Sequence, residues 1–259
     1  MLRYDVTDHV ATITLDRPEV HNAFTFAMIA DWAATLVRAQ EDPDVRVVVL
    51  TGAGSAFCSG VDLGVLAEVP ATPLAKRRML TDRIHKVAFA VEALDKPLLC
   101  AINGAAVGAG LDMALMCDIR FAAASARLSE GYVKVGLVPG DGGCHYLPRL
   151  IGTARALELL WTGDVVSAQE ALQLGLVSRV YPDDELAGQT RAFARRLADG
   201  PPVALGLIKR AVYGGLRAND LRTSLDLIAS HLAVVTSTDD SAEAVAARRE
   251  RRAPRYVGA

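Results

Sequence analysis

The chain has 259 residues, with 51 % apolar and 22 % charged side chains and a formal net charge of −2. This length suits one large domain, or one domain with a helical appendage, and the balance excludes a disordered chain. Without a long basic stripe the chain is not expected to bind nucleic acid. The longest uncharged apolar stretch, Pro97–Leu111, is too short and too broken by glycine to span a membrane.

Strands and helices alternate along the first two thirds of the chain. Strands are predicted where β-branched residues alternate or form apolar runs, and helices where apolar residues recur with helical spacing. This alternation predicts an α/β core with parallel strands. In chain order the predictions are a strand His9–Asp16, a helix from about Phe24 to Gln40, a strand Val45–Thr51, a helical stretch from about Leu74 to Leu94, a strand Pro97–Ile102, a short helix Gly108–Met116 and a strand Asp118–Ala123.

Helices dominate the chain from Asp141 onward. One strand is predicted at Leu176–Tyr181, and helices follow at Pro202–Tyr213, Leu221–Val235 and Asp240–Arg251. The apolar surface of these last helices is large for a solvated appendage, so we expect them to pack on another surface, such as another subunit. The chain therefore divides into a core, residues 1–198, and a C-terminal helical region, residues 199–259.

The four cysteines are Cys58, Cys100, Cys117 and Cys144, and they form no C-x-x-C pair. No histidine cluster accompanies them at metal spacing, so no metal site is expected. We expect buried free thiols in a reducing compartment. The N-terminal segment lacks the apolar core of a signal peptide, and a cytoplasmic location is the expectation.

Two glycine-rich loops, Gly52–Leu63 and Asn103–Asp112, follow buried strands, where ligands bind in α/β folds. They lack the G-x-G-x-x-G and G-x-x-x-x-G-K-[ST] patterns of dinucleotide and phosphate sites. Glycine lets neighbouring N–H groups point outward, and Ala109 opens a predicted helix at its positive end. Two such donors that converge on one oxygen form an oxyanion hole. The alternative is that the glycines serve only tight packing of strand on helix.

Five motifs in order make the chain similar to the crotonase (enoyl-CoA hydratase/isomerase) superfamily. Each motif alone is modest, but the ordered set spans nearly the whole chain. The motifs are Leu15-Asp-Arg-Pro18 with Asn22-Ala23; Ala56-Phe-Cys-Ser-Gly60-Val-Asp-Leu63; Ala101-Ile-Asn-Gly104 through Gly108-Ala-Gly110 with Cys117-Asp118-Ile-Arg; Gly136-Leu-Val-Pro-Gly140 with Gly142-Gly143, Leu147-Pro-Arg149 and Ile151-Gly152; and Arg251-Arg-Ala-Pro254 with Tyr256 and Gly258.

The resemblance implies a β-β-α spiral with two nearly perpendicular sheets and a C-terminal helical region that drives assembly into a trimer or a dimer of trimers. It also implies an acyl-CoA substrate, with coenzyme A as part of that substrate and no separate cofactor. The N–H groups of Val61 and Ala109 match the family's oxyanion hole. Residues implied in substrate binding are Val20, Ala23, Ala56, Ser59, Gly60, Asp62, Leu63, Gly108, Gly140 and Tyr256, the last expected to flank the nucleotide from a neighbouring subunit's tail.

Hydratases of this family use two glutamates, and this chain departs from both. Asp112 stands at the first position and Tyr132 at the second. Tyrosine, with an ordinary pKa of about 10, is a poor base at neutral pH, so Glu130 or Asp141 is expected to replace the missing glutamate. Asp141 resembles the acid that some isomerases of the family place in this loop, but it lies one residue away from that position in the sequence. The alternatives are a helix N-cap for Asp141, a surface position for Glu130 and pocket packing for Tyr132.

The leading functional prediction is an enoyl-CoA hydratase, a lyase of fatty-acid or related acyl-CoA metabolism. The second is an enoyl-CoA isomerase, which needs only one acid, Asp112 or Asp141, to move a proton between carbons. The third is a catalytically silent protein that retains only the acyl-CoA site.

Overall fold

Ten strands and twelve α-helices form residues 1–218 and 220–259, which the computed structural model describes. The strands are β1 (Leu2–Thr7), β2 (Val10–Leu15), β3 (Val47–Gly52), β4 (Ala56–Cys58), β5 (Leu98–Ile102), β6 (Ala105–Val107), β7 (Ile119–Ala123), β8 (Arg127–Ser129), β9 (Val165–Ser167) and β10 (Arg179–Tyr181). The helices are α1 (Phe26–Glu41), α2 (Leu63–Ala67), α3 (Pro73–Met79), α4 (His85–Glu92), α5 (Ala109–Leu115), α6 (Gly143–Ile151), α7 (Thr153–Thr162), α8 (Ala168–Leu174), α9 (Leu186–Ala198), α10 (Pro202–Arg217), α11 (Leu221–Thr236) and α12 (Asp239–Glu250). Within these residues no helix has the length and apolar character needed to cross a membrane.

The larger sheet has the strand order β1-β2-β3-β5-β7-β10. Its strands from β2 to β10 pair in parallel, which confirms the predicted core. No sequence pattern predicts β1, which pairs antiparallel with β2, because polar residues interrupt it and most of its side chains are exposed. Asp8 and His9 join the two strands with φ values of 51° and 64°, as a two-residue hairpin turn requires.

The smaller sheet brings three loops to one edge. Its order is β4-β6-β8-β9, and β4, β6 and β8 are parallel neighbours. Because the carboxyl ends of parallel strands lie at the same edge, the segments that follow them, at Gly60, Gly108 and Glu130, come together. Each of these strands has only three residues, too few for a periodic signal, and the sequence predicts none of them.

The predicted helical stretch from Leu74 to Leu94 is divided into α3, a π-helical turn at Leu80–Ile84 and α4. Turns of this kind are frequent at functional sites. Leu80 lies over the loop that precedes α6, since a Cβ atom on Gly140 would be 3.1 Å from Leu80 Cδ2. His85 Nε2 is 2.8 Å from the Gly140 carbonyl oxygen. The turn and α4 therefore cover this loop.

Helices α10 and α11 contain no buried residue, although both are rich in apolar side chains. An apolar surface of this extent differs from the scattered single residues that are normal on a monomer. This exposed apolar surface is available for the packing against another subunit that the sequence predicts. The division of the chain at residue 198 stays a prediction. The exposed side chains include Ile208, Val212, Leu216, Leu225, Ile228 and Leu232.

Candidate active site

The loop after β4 leaves the N–H group of Val61 free. Gly60 turns the chain with a φ of +98°, which favours glycine. Phe24 holds the residues on either side, because its N–H donates to the Gly60 carbonyl at 2.8 Å and its carbonyl accepts from the Asp62 N–H at 3.0 Å. Among the described residues, the Val61 N–H itself has no acceptor.

Arg17 and Asn22 hold this loop in place, although neither was predicted as an individual site residue. Arg17 Nη1 donates to the Ala23 carbonyl at 2.6 Å and to Asp62 Oδ2 at 2.9 Å. The buried Asn22 side chain donates through Nδ2 to two loop carbonyls at 2.9 and 2.8 Å. Both residues belong to the first family motif, which was the signal that could have identified them.

The second free donor is the N–H group of Ala109, the first residue of α5. Gly108 has a φ of +52° and its carbonyl accepts from the Asp112 N–H at 3.0 Å, closing the first turn of the helix. The Ala109 N–H has no acceptor within residues 1–218 and 220–259. A Cβ atom on Gly60 would be 3.6 Å from the Ala109 nitrogen, so the two donor-bearing loops lie against each other.

Tight packing explains the neighbouring glycines. A Cβ atom on Gly110 would be 2.2 Å from the Cys58 carbonyl oxygen, and one on Gly104 would be 2.0 Å from that of Ser55. No side chain can make such contacts, so only glycine at position 110 lets α5 approach β4 this closely, and only glycine at position 104 lets the start of β6 approach Ser55. The packing interpretation therefore holds for these two glycines, and the oxyanion hole at Val61 and Ala109 stays a prediction.

Four side chains, Asp112, Glu130, Tyr132 and Asp141, form what we term the acid cluster. The Tyr132 hydroxyl lies 2.7 Å from Asp112 Oδ2 and 3.0 Å from Asp141 Oδ2. Asp112 and Glu130 meet at the start of α6, where a Cβ atom on Gly143 would be 2.4 Å from Asp112 Oδ1 and 3.0 Å from Glu130 Oε2. The three carboxyl residues are only 0 to 3 % exposed.

The ring of Tyr132 connects the acid cluster to the backbone donors. It packs on Gly108, where a Cβ atom would be 3.6 Å from Tyr132 Cε2. Gly108 immediately precedes Ala109 in the chain, so the cluster lies beside the start of α5. The site thus combines two unpaired N–H donors with three buried carboxyls and one phenol.

Burial raises the pKa of each carboxyl in the acid cluster. The pKa of Asp112 rises to about 7, and that of Glu130, which also faces the Asp112 charge, to about 10. Burial likewise raises the pKa of Asp141 and that of Tyr132. No arginine or lysine in the described chain forms an ion pair with these carboxyls. At neutral pH Glu130 therefore keeps its proton, and Asp112 is partly ionised.

Two sequence alternatives are wrong. Glu130 is not a surface residue, since it is 1 % exposed. Asp141 is not the N-cap of α6, because Gly142 holds that position and the Asp141 carboxyl lies 3.0 Å from the Tyr132 hydroxyl instead. The expectation of buried thiols is confirmed for three cysteines but is wrong for Cys144, which is exposed.

Two segments implied in substrate binding are adjacent. Ser59 Oγ donates to the Val20 carbonyl at 3.3 Å, so the first motif and the Ala56–Leu63 loop lie side by side. Tyr256 lies elsewhere, because its carbonyl accepts from Arg46, which precedes β3, at 3.1 Å. The glycine loop leaves the opposite end of β3, about 20 Å away. Within one chain Tyr256 does not lie at the site.

Comparisons with known proteins agree with this architecture. Residues 5–259 match the family described as Enoyl-CoA hydratase/isomerase. A "Probable enoyl-CoA hydratase" of Rhodobacter capsulatus is 38 % identical, over 99 % of this chain and 98 % of the relative. The "1,2-epoxyphenylacetyl-CoA isomerase" of Escherichia coli is also 38 % identical, over 96 % and 95 % of the two chains. The crystal structure of an enoyl-CoA hydratase from Bacillus anthracis, 37 % identical, covers 100 % of this chain and 99 % of its own with a TM-score of 0.95.

Proposed function

Because the chain belongs to the enoyl-CoA hydratase/isomerase family, we propose that this acyl-CoA enzyme adds water across the double bond of a trans-2-enoyl-CoA thioester. The observation that carries this proposal is the acid cluster beside two free backbone donors. Water addition needs a base for the water and an acid for the α-carbon. Two carboxyls can supply that pair here, although Tyr132 stands where the resemblance expects a glutamate.

The two backbone donors stabilise the charge that water addition creates. When water attacks the β-carbon, negative charge moves to the thioester oxygen, which accepts hydrogen bonds from the Val61 and Ala109 N–H groups. Each such donor is worth about 3 kcal/mol in the transition state. The coenzyme A portion of the substrate lies along Val20–Ala23 and the Ala56–Leu63 loop, and the reaction uses no separate cofactor.

Asp112 and Asp141 carry the proton transfers in this proposal. Asp112 takes a proton from the attacking water, because its pKa of about 7 leaves it partly ionised at neutral pH. Asp141, on the other side of the Tyr132 hydroxyl, gives a proton to the α-carbon. Glu130, with a pKa of about 10, stays neutral and faces Asp112 Oδ1.

Isomerisation of a 3-enoyl-CoA is the second candidate. It is favoured by Tyr132, which replaces the second glutamate of the hydratases, and it needs only one carboxyl to move a proton between carbons. The second and third carboxyls of the acid cluster weigh against it, since an isomerase has no use for an acid–base pair that activates water.

The hydratase proposal is tested with crotonyl-CoA and a 3-enoyl-CoA as separate substrates. We expect the purified protein to hydrate crotonyl-CoA, with kcat/KM falling about tenfold for each pH unit below about 7, because the base of the free enzyme must be ionised. Product formation is followed by loss of the enoyl absorbance across pH 5 to 9. If the protein shifts the 3-enoyl double bond but leaves crotonyl-CoA unchanged, it is an isomerase; if it binds both and converts neither, it is a silent binder.

We also infer that the protein assembles into a homotrimer or a dimer of trimers through the apolar face of α10 and α11. Light scattering should give three or six times the 27.5 kDa of one chain. Leu232→Glu, which places a charge on this face, should shift the mass toward that of a single chain. A monomeric wild-type protein would contradict this assignment, and Leu74→Glu, at an exposed position outside α10 and α11, is the matched control.

A cytoplasmic location remains part of the proposal. It is supported by Cys58, Cys100 and Cys117, which are buried free thiols. Free thiols of this kind persist in a reducing compartment.

A further inference from the structure

The hydroxyl of Tyr132 lies between two carboxyl oxygens and has only one proton to donate. Its oxygen is 2.7 Å from Asp112 Oδ2 and 3.0 Å from Asp141 Oδ2. A phenol that donates to one carboxylate presents only lone pairs to the other. Both short contacts are therefore favourable at the same time only if the second carboxyl carries a proton and donates it to the phenol oxygen.

The surroundings of these two carboxyls favour one shared negative charge. Asp112 and Asp141 are 0 % and 3 % exposed, and two unpaired buried carboxylates would be costly. Glu130 faces Asp112 at the start of α6, and the His85 ring, bonded to the Gly140 carbonyl at 2.8 Å, is the titratable group on the α4 side. None of these groups supplies a permanent positive charge.

This arrangement allows two protonation states with the same number of hydrogen bonds. In the first, Asp141 donates to Tyr132 and Tyr132 donates to an ionised Asp112. In the second, Asp112 donates to Tyr132 and Tyr132 donates to an ionised Asp141. The states differ only by the movement of two protons along two hydrogen bonds, with no displacement of heavy atoms.

We propose that the Tyr132 hydroxyl relays a proton from Asp112 to Asp141 after each turnover; this proposal rests on the hydratase function. Once water has added, Asp112 holds the proton taken from water and Asp141 has lost one to the α-carbon. The Tyr132 O–H bond breaks as an O–H bond to Asp141 forms, and the Asp112 O–H bond breaks as a new one to Tyr132 forms. The enzyme regains its starting state without exchanging a proton with solvent. Tyr132 is thus a positioning and relay residue that acts through the two carboxyls.

The test is the time course of crotonyl-CoA hydration by Tyr132→Phe. Without the hydroxyl, the first turnover should stay within about tenfold of wild type, because both carboxyls are still present. Later turnovers must wait for slow proton exchange with solvent, so we expect a burst of one product per site and a steady-state kcat about 100-fold below wild type. Tyr132→Gln, whose amide can bond both carboxyls but passes no proton, should show the same burst if the phenylalanine variant folds poorly.

Tyr146→Phe is the matched control, because it removes the hydroxyl of a second tyrosine, whose ring lies beside Gly142, whereas the phenol between the two carboxyls is that of Tyr132. It should keep kcat within about twofold. A steady-state rate for Tyr132→Phe within threefold of wild type would overturn the relay. A first turnover slowed as much as the later ones would also overturn it, because Tyr132 would then act only in the chemistry or the fold. If wild type itself does not hydrate crotonyl-CoA, the proposed function fails first, and the relay falls with it.

Discussion

Replacing Ala109 with proline should lower kcat/KM for enoyl-CoA hydration by about 10²- to 10³-fold. Ala109 is the first residue of α5, a position where proline is well tolerated because the N–H group has no partner within the helix. The substitution therefore deletes the donor that we assign to the oxyanion hole, and the proline ring occupies the space in front of it. Gly108, which precedes it, has a φ of +52° and does not need the helical conformation that proline disfavours in its neighbour.

Steady-state kinetics on Ala109→Pro, with thermal unfolding measured in parallel, separates this effect from loss of the fold. Ala109→Gly is the matched control, because it removes the methyl group but keeps the N–H, and it should stay within about tenfold of wild type. The melting temperature of the proline variant should change by no more than a few degrees. A proline variant of nearly full activity would show that the Ala109 N–H is not a catalytic donor.

Replacing Asp112 with asparagine should lower kcat by about 10³-fold, while raising the stability of the folded protein at alkaline pH. The pKa of Asp112 is raised to about 7 in the folded state by burial, against about 3.9 in an unfolded chain. The unfolded chain therefore ionises first as pH rises. The stability that wild type draws from a protonated Asp112 is fully present below about pH 4 and is lost as pH rises through about 7.

Asparagine does not ionise, so the difference in unfolding free energy between Asp112→Asn and wild type should grow from pH 4 to about pH 7 and then level off, at about 4 kcal/mol. Denaturant unfolding at pH 4.5 and pH 8 measures this difference, and Asp164→Asn, at an exposed carboxylate, is the control that should show no such trend. An equal effect of Asp112→Asn at both pH values would mean that Asp112 is ionised throughout. Full hydratase activity in this variant would remove Asp112 from the mechanism.

Local sequence features located the core and the two donors. Buried apolar runs predicted β3 and β5 within two residues of their observed ends, because both lie between parallel neighbours. The glycines of the two loops indicate backbone conformations that residues with a side chain disfavour, so these turns could be predicted from the sequence alone. The strands β4, β6 and β8 could not be predicted in this way, because each has only three residues, too few to show a periodic pattern.

The residues of the acid cluster could be named from the family resemblance, but their convergence could not be predicted, because it depends on how distant segments fold onto one another. Glu130 and Tyr132 would share one face of an extended strand, but the structure has a 3₁₀ turn at Gly131–Val135 that directs Tyr132 to Gly108. Asp141 reaches the same hydroxyl from the loop before α6. The sequence predicted Glu130 or Asp141 as a replacement for the missing second glutamate, whereas the fold places both residues beside Asp112.

The central claim, that Val61 and Ala109 form the oxyanion hole, is tested most directly by a crystal structure with a saturated acyl-CoA, which binds but cannot be hydrated. The thioester carbonyl oxygen should lie about 2.7–3.1 Å from both backbone nitrogens, with its α-carbon facing the acid cluster. A thioester oxygen that is well ordered but more than about 4 Å from either nitrogen would contradict the claim.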